Sequence, residues 1–147
     1  MKFLFLIVLL LLGPVAAPAM DCPSISGAYR WEGDGASTLL ILSQQGCGLV
    51  KLEMDPGEGT RVKRDLIPDG ARRPLGRGEG VDAVEWSDWR EGGLNVHLEE
   101  HYLRQNVRIG THARWSLSSN GDLIEDLDIT RDGSSIYRAQ AVYRRQE

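Results

Sequence analysis

Long helical periods, long apolar runs and a surplus of positive charge are all missing from this chain. The longest apolar run, Phe3 to Leu12, falls well short of the roughly 20 residues of a transmembrane helix, so no membrane span is expected. Basic side chains number 17 against 21 acidic ones and are scattered among them, for a net charge of −4. That distribution lacks the electrostatic footprint of a nucleic-acid-binding protein. Histidine is scarce at three residues. No nucleophile and base can be assembled around His112, so no catalytic residue is assigned. Gly78-Glu79-Gly80-Val81-Asp82-Ala83 imitates a dinucleotide fingerprint, but no apolar strand precedes it and no βαβ unit follows. No cofactor is expected.

Cysteine is nearly absent too: Cys22 and Cys47 are the only two. Lys2, the apolar run to Leu12, the Gly13-Pro14 break and Ala17-Pro18-Ala19 are the three regions of a secretory signal peptide, with cleavage expected after Ala19. Ala-Met-Asp before Cys22 does not form a lipoprotein acceptor box. The reading is therefore a signal peptide over residues 1–19 and one domain over residues 20–147, secreted or periplasmic, with its charge lowered by the loss of Lys2. In such a compartment the two cysteines are expected as a disulfide, Cys22 to Cys47, contributing roughly 3 kcal/mol through loop closure. A pair of free or metal-binding thiols is the competing reading.

What the chain does have is alternation. Val107 to Leu117 places apolar or small residues at odd positions and mostly polar ones between them, the pattern of a half-buried strand. Ile25 to Trp31, Thr38 to Ser43, Val50 to Met54, Arg61 to Ile67, Val81 to Trp89, Leu94 to Leu98 and Ser135 to Arg145 read as further strands between Gly-rich turns. From Pro68 to Gly80 no period survives, and a long surface loop is expected. The fold class is all-β: a single antiparallel up-and-down barrel of about eight strands, a closure that removes exposed edges.

Two turns set the register of the last three strands. A two-residue Asn120-Gly121 turn would put Asp126 and Asp128 against the apolar face. A three-residue Ser119-Asn120-Gly121 loop instead pairs Leu117 with Leu123 and Ala113 with Leu127. The same geometry at Arg131-Asp132-Gly133 predicts Leu127 opposite Tyr137, Glu125 opposite Ala139 and Leu123 opposite Ala141. Glu125 then points inward beside Trp115, where a carboxylate requires partners.

Gly27-Ala28-Tyr29, followed by a meander, resembles the opening of lipocalin and calycin barrels, whose first strand usually carries Gly-X-Trp; Tyr29 stands in place of that Trp. Ile25 to Tyr29 followed by Asp34-Gly35-Ala36-Ser37 is also loosely similar to the first hairpin of avidin-like proteins, without a later biotin-site pattern. The resemblance covers about the first quarter of the mature chain. It implies a barrel able to enclose a ligand and leaves the ligand unspecified.

Thr111, Trp115, Glu125, Tyr137 and Tyr143, with Ala139 and Ala141 leaving space, are the candidate lining of a pocket for a small, partly apolar ligand. The alternative is a solid core filled by the same aromatics. His97-Leu98-Glu99-Glu100-His101 fits H-x-x-E-H, which on a helix would present His97, Glu100 and His101 as a metal-dependent hydrolase centre. On a strand, His97, Glu99 and His101 share one face and could hold a surface metal ion, or simply form a polar face. Arg72, Arg73 and Arg77 make the Pro68 to Gly80 loop a second candidate surface, for a protein partner or inhibitor function, unless they only keep it solvated.

Overall fold

Alternation is realised nearly everywhere it was expected. The computed structural model describes residues 21–76 and 78–147; the signal peptide expected at residues 1–19 and the loop residue Arg77 lie outside the described residues. Among the described residues ten antiparallel strands follow one another: β1 Gly27–Gly33, β2 Ala36–Gln45, β3 Leu49–Asp55, β4 Val62–Leu66, β5 Arg73–Leu75, β6 Val81–Arg90, β7 Gly93–Tyr102, β8 Val107–Leu117, β9 Leu123–Arg131 and β10 Ser134–Arg145. The order in the sheet is β4-β3-β2-β1-β10-β9-β8-β7-β6-β5. It is an up-and-down meander with one non-sequential pairing, β1 with β10, that closes the chain on itself. No helix occurs among the described residues.

The β1 to β10 seam is short, with only Tyr29 opposite Arg145 and Arg30 opposite Arg144. Beyond it the two strands part. At the far edges, Arg64 of β4 forms an ion pair with Glu85 of β6, so side chains bridge the sheet where backbone pairing stops. The edges are protected in familiar ways, by Lys63 and Arg64 on β4 and by the brevity and Pro74 of β5.

Inward-facing residues divide the interior into two halves. At one end Ile25, Tyr29, Leu40, Leu42, Val50, Leu52, Leu66, Trp89, Leu94, Trp115, Leu123 and Tyr143 form one continuous core. Each large apolar side chain buried there contributes about 1.5–3 kcal/mol. The Cys22–Cys47 disulfide, with Cα atoms 5.6 Å apart, ties the N-terminal segment to the β2–β3 turn across this end. The Trp89 indole donates to the Cys47 carbonyl at 2.9 Å, and the Tyr29 hydroxyl donates to the Ile25 carbonyl at 2.9 Å. At the other end the same inner face is only half-buried, at Trp31, Met54, Leu98, Ile109, Leu127 and Ile129. One end is packed shut and the other is open.

Two expectations change. The strands number ten because the Pro68 to Gly80 segment is not a bare loop: it contains β5, with Arg73 opposite Glu85 and Leu75 opposite Ala83. The three-residue loop at Ser119-Asn120-Gly121 forms as expected, with Gly121 at φ 87° and Leu117 opposite Leu123. The next turn does not. Asp132 and Gly133, at φ 48° and 83°, make a two-residue turn with both positive dihedrals, and Ser134 pairs with Arg131. A bulge between Ser135 and Tyr137 then shifts the ladder by one more residue, setting Leu127 opposite Ala139, Glu125 opposite Ala141 and Leu123 opposite Tyr143. Turn and bulge each move the register by one, so the partners change while the inward set is preserved. Ile136, at the bulge, is left outside and 59% exposed.

Candidate functional site

Glu125 sits midway along β9, on the inner face, directly opposite Trp115 on β8 and Ala141 on β10. Its two oxygens are held separately. The Trp115 indole donates to Oε1 at 3.0 Å, and the Tyr143 hydroxyl donates to Oε2 at 3.0 Å. Ala141, beside the carboxylate, and Ala139, opposite Leu127, fill little volume. Space therefore remains in front of Glu125.

That space is a cavity of about 380 Å³ lined by Trp31, Thr38 and Met54 from β1 to β3 and by Glu125, Leu127, Tyr137, Ala139, Gln140, Ala141 and Tyr143 from β9 and β10. It lies where β1 and β10 have parted. Trp115 and Tyr143 belong to the packed core at its floor, whereas Tyr137, 53% exposed, stands at its rim. Gly33 matters to the wall: a Cβ there would lie 2.5 Å from the Trp31 ring, so the missing side chain is what lets that ring lie along β1. Burial, and behind it the charge and hydrogen bond of Glu125, push the Tyr143 phenol well above its ordinary pKa. Tyr143 thus stays a neutral donor to the carboxylate.

The candidates anticipated from sequence are brought together unevenly. Glu125, Tyr137 and Tyr143 meet at one cavity, and Trp115 supports it from behind. Thr111 has the inward register, opposite Leu98 and Ile129, but is not part of this lining. Trp31, Thr38 and Met54 were not anticipated as lining. Their phase within β1 to β3 was visible, but nothing local says which strands face one another across a barrel.

The outer face of β5 to β10 gathers the histidines instead. Trp86 stacks on His97 with ring centres 4.8 Å apart, and His97 on His112 at 4.4 Å. The Arg72 guanidinium lies over Trp86 at 4.1 Å. Each aromatic contact contributes about 0.5–1.5 kcal/mol beyond burial. Burial, then the positive charges of His112 and nearby arginines, holds the His97 pKa below its usual value, against the opposing pull of Asp88. His112 Nε2 lies 3.0 Å from Asn95 Oδ1.

His97, Glu99 and His101 do share this face, but their partners differ. Glu99 pairs with Arg72 at 3.2 Å and Arg108 at 3.8 Å, and His101 Nε2 lies 3.1 Å from Asn106 Oδ1. Among the described residues no group of three His, Cys, Asp or Glu side chains is arranged to hold a metal ion. The hydrolase reading of His97, Glu100 and His101 required a helix. Residues 93–102 are strand β7, and period two sends Glu100 to the inner face while both histidines point outward. In the Pro68 to Gly80 segment, Arg73 pairs with Asp69 at 2.6 Å and holds its carboxyl down to a pKa of about 2. Arg72 is engaged by Trp86 and Glu99.

No protein-family model matches the chain, and no curated protein matches it in sequence. Solved structures do match in shape. A secretory abundant heat soluble protein from Ramazzottius varieornatus superposes with a TM-score of 0.56 at 11% identity, covering 82% of this chain and 94% of that one. A variant of the fluorescent protein UnaG gives 0.56 at 17% identity, covering 83% and 96%. Secretory abundant heat soluble protein 4 from Ramazzottius varieornatus gives 0.56 at 11% identity, covering 89% and 100%. The chain has an antiparallel β-barrel fold like that of these proteins, similar to the lipocalin and calycin barrels. In this calycin-like barrel the disulfide-tied end is solid, and the Glu125 cavity occupies the open half. No helix among the described residues is long and apolar enough to cross a membrane.

Proposed function

We propose that this calycin-like barrel is an exported binding protein that takes a small, partly apolar ligand into the open half of its interior. The observation that carries the reading is the inward carboxylate of Glu125, clamped by Trp115 and Tyr143, at the wall of a cavity of about 380 Å³. An apolar and aromatic lining with a few convergent polar groups, at a volume between roughly 300 and 1,000 Å³, is what small-molecule sites require. A carboxylate costs stability in an apolar setting unless it is hydrogen-bonded, and here two donors hold it in place where solvent or ligand can still reach.

The fold supports the reading as well, since an interior closed at one end and open at the other is a container. Export rests on the residue 1–19 pattern and on the disulfide, which persists in oxidising compartments. Native mass spectrometry of protein purified from its own host tests ligand binding directly. A retained small molecule, released on denaturation, is the expected result. A mass equal to the bare chain, together with no binding to a panel of small amphiphiles, would overturn it.

A further inference from the structure

The cavity carries one formal charge, and it is negative. Glu125 is the only ionisable carboxylate in the lining, and no lysine, arginine or histidine lines it among the described residues. Its hydrogen bonds come from an indole and a phenol, both neutral donors that bring no positive charge to offset the carboxylate. Around it stand three aromatic rings, those of Trp31, Tyr137 and Tyr143, and the Met54 thioether. Aromatic faces and a carboxylate attract positive charge and repel negative charge. The arginines whose register is inward, Arg64, Arg73, Arg131 and Arg145, do not line this cavity.

We infer that the ligand is an organic cation, a substituted amine or quaternary ammonium with an apolar or aromatic body, whose charged head sits at Glu125 between Tyr143 and Tyr137. This rests on the small-ligand reading above and adds the charge of the ligand to it. An anionic amphiphile such as a fatty acid would bring its carboxylate to Glu125 with no cation in the lining to offset the repulsion. The Tyr143 hydroxyl, 3.0 Å from Oε2, holds the carboxylate in place, and its raised pKa keeps it a protonated donor.

Isothermal titration with three probes of similar size tests this: benzyltrimethylammonium, its uncharged neopentylbenzene analogue and benzoate. Wild-type protein should bind the cation about tenfold or more tightly than the neutral analogue, the combined worth of a desolvated cation–aromatic contact and one carboxylate, and should bind benzoate least. Glu125→Gln should abolish that preference, with its fold checked by an unchanged cooperative unfolding transition. Glu58→Gln, in the exposed β3–β4 turn, should leave the preference unchanged. If the neutral analogue or benzoate binds as well as the cation, the charge assignment is wrong while ligand binding stands. If Glu125→Gln folds and retains the preference, another site holds the cation and the inference fails. If none of the three binds and protein from its own host retains nothing, ligand binding itself is refuted.

Discussion

Replacing Tyr143 by Phe removes one hydroxyl from the molecule and nothing else. The ring stays in the core, 9% exposed, and Glu125 Oε2 loses the donor now 3.0 Å away. A hydrogen bond to a charged group is worth about 1.5–3 kcal/mol, most of it the penalty of an unsatisfied acceptor. The cavity admits water to the vacated position, which puts the expected loss near the lower bound. With a urea dependence of about 1–3 kcal/mol per molar, the unfolding midpoint should fall by roughly 1 M. Tryptophan fluorescence reports the transition, because Trp89 and Trp115 are both buried. A double-mutant cycle with Glu125→Gln isolates the pair: the second substitution should cost less by about 1 kcal/mol when Tyr143 is already Phe. An unchanged midpoint, or a coupling of zero, would show that the carboxylate is not held by this hydroxyl and would remove the clamp from the account.

Other perturbations address the rest of the structure. Cys22→Ser with Cys47→Ser should cost about 3 kcal/mol in thermal or urea unfolding, while leaving the circular dichroism of the sheet intact. Gly33→Ala should push the Trp31 ring off β1, read as a displaced Trp31 indole resonance and weaker probe binding; an unmoved resonance contradicts the placement of that ring. The His97 pKa is depressed in the folded protein, so the unfolded chain binds its proton first. His97 therefore contributes stability that is complete above the ordinary histidine pKa of about 6.5 and is lost as pH falls below it. His97→Gln should flatten the decline in the urea midpoint over that acid window, and a parallel profile would contradict it. Protein recovered from the culture medium or periplasm of its host should begin at Met20, as read by terminal sequencing.

How much of this was legible beforehand depended on how local the signal was. The Ser119-Asn120-Gly121 loop declared its register, because the two possible turns differ in whether Asp126 and Asp128 face the core. Arg131-Asp132-Gly133 looks the same in sequence, yet Asp132 joins Gly133 at positive φ and the bulge at Ile136 compensates. A turn and a bulge that cancel in parity leave no trace in the hydrophobic pattern. Strand β5 escaped because three residues around a proline carry no period. The inward aim of Glu125 followed from alternation together with the turn register, but its cavity did not: Trp31, Thr38 and Met54 arrive from across the β1–β10 seam. The H-x-x-E-H match shows the reverse error, a motif whose chemistry depends on helical spacing that Gly92-Gly93 and the β-forming residues after it do not support.

The most direct test of a charged cavity within the open half is NMR of protein carrying labelled glutamate and aromatic side chains, titrated with benzyltrimethylammonium. The account predicts that the Glu125 carboxylate resonance and the rings of Trp31 and Tyr137 move together and saturate at one ratio, while His97 and His112 on the outer face stay still. Movement confined to the histidine stack, or a Glu125 signal indifferent to the probe, would contradict it.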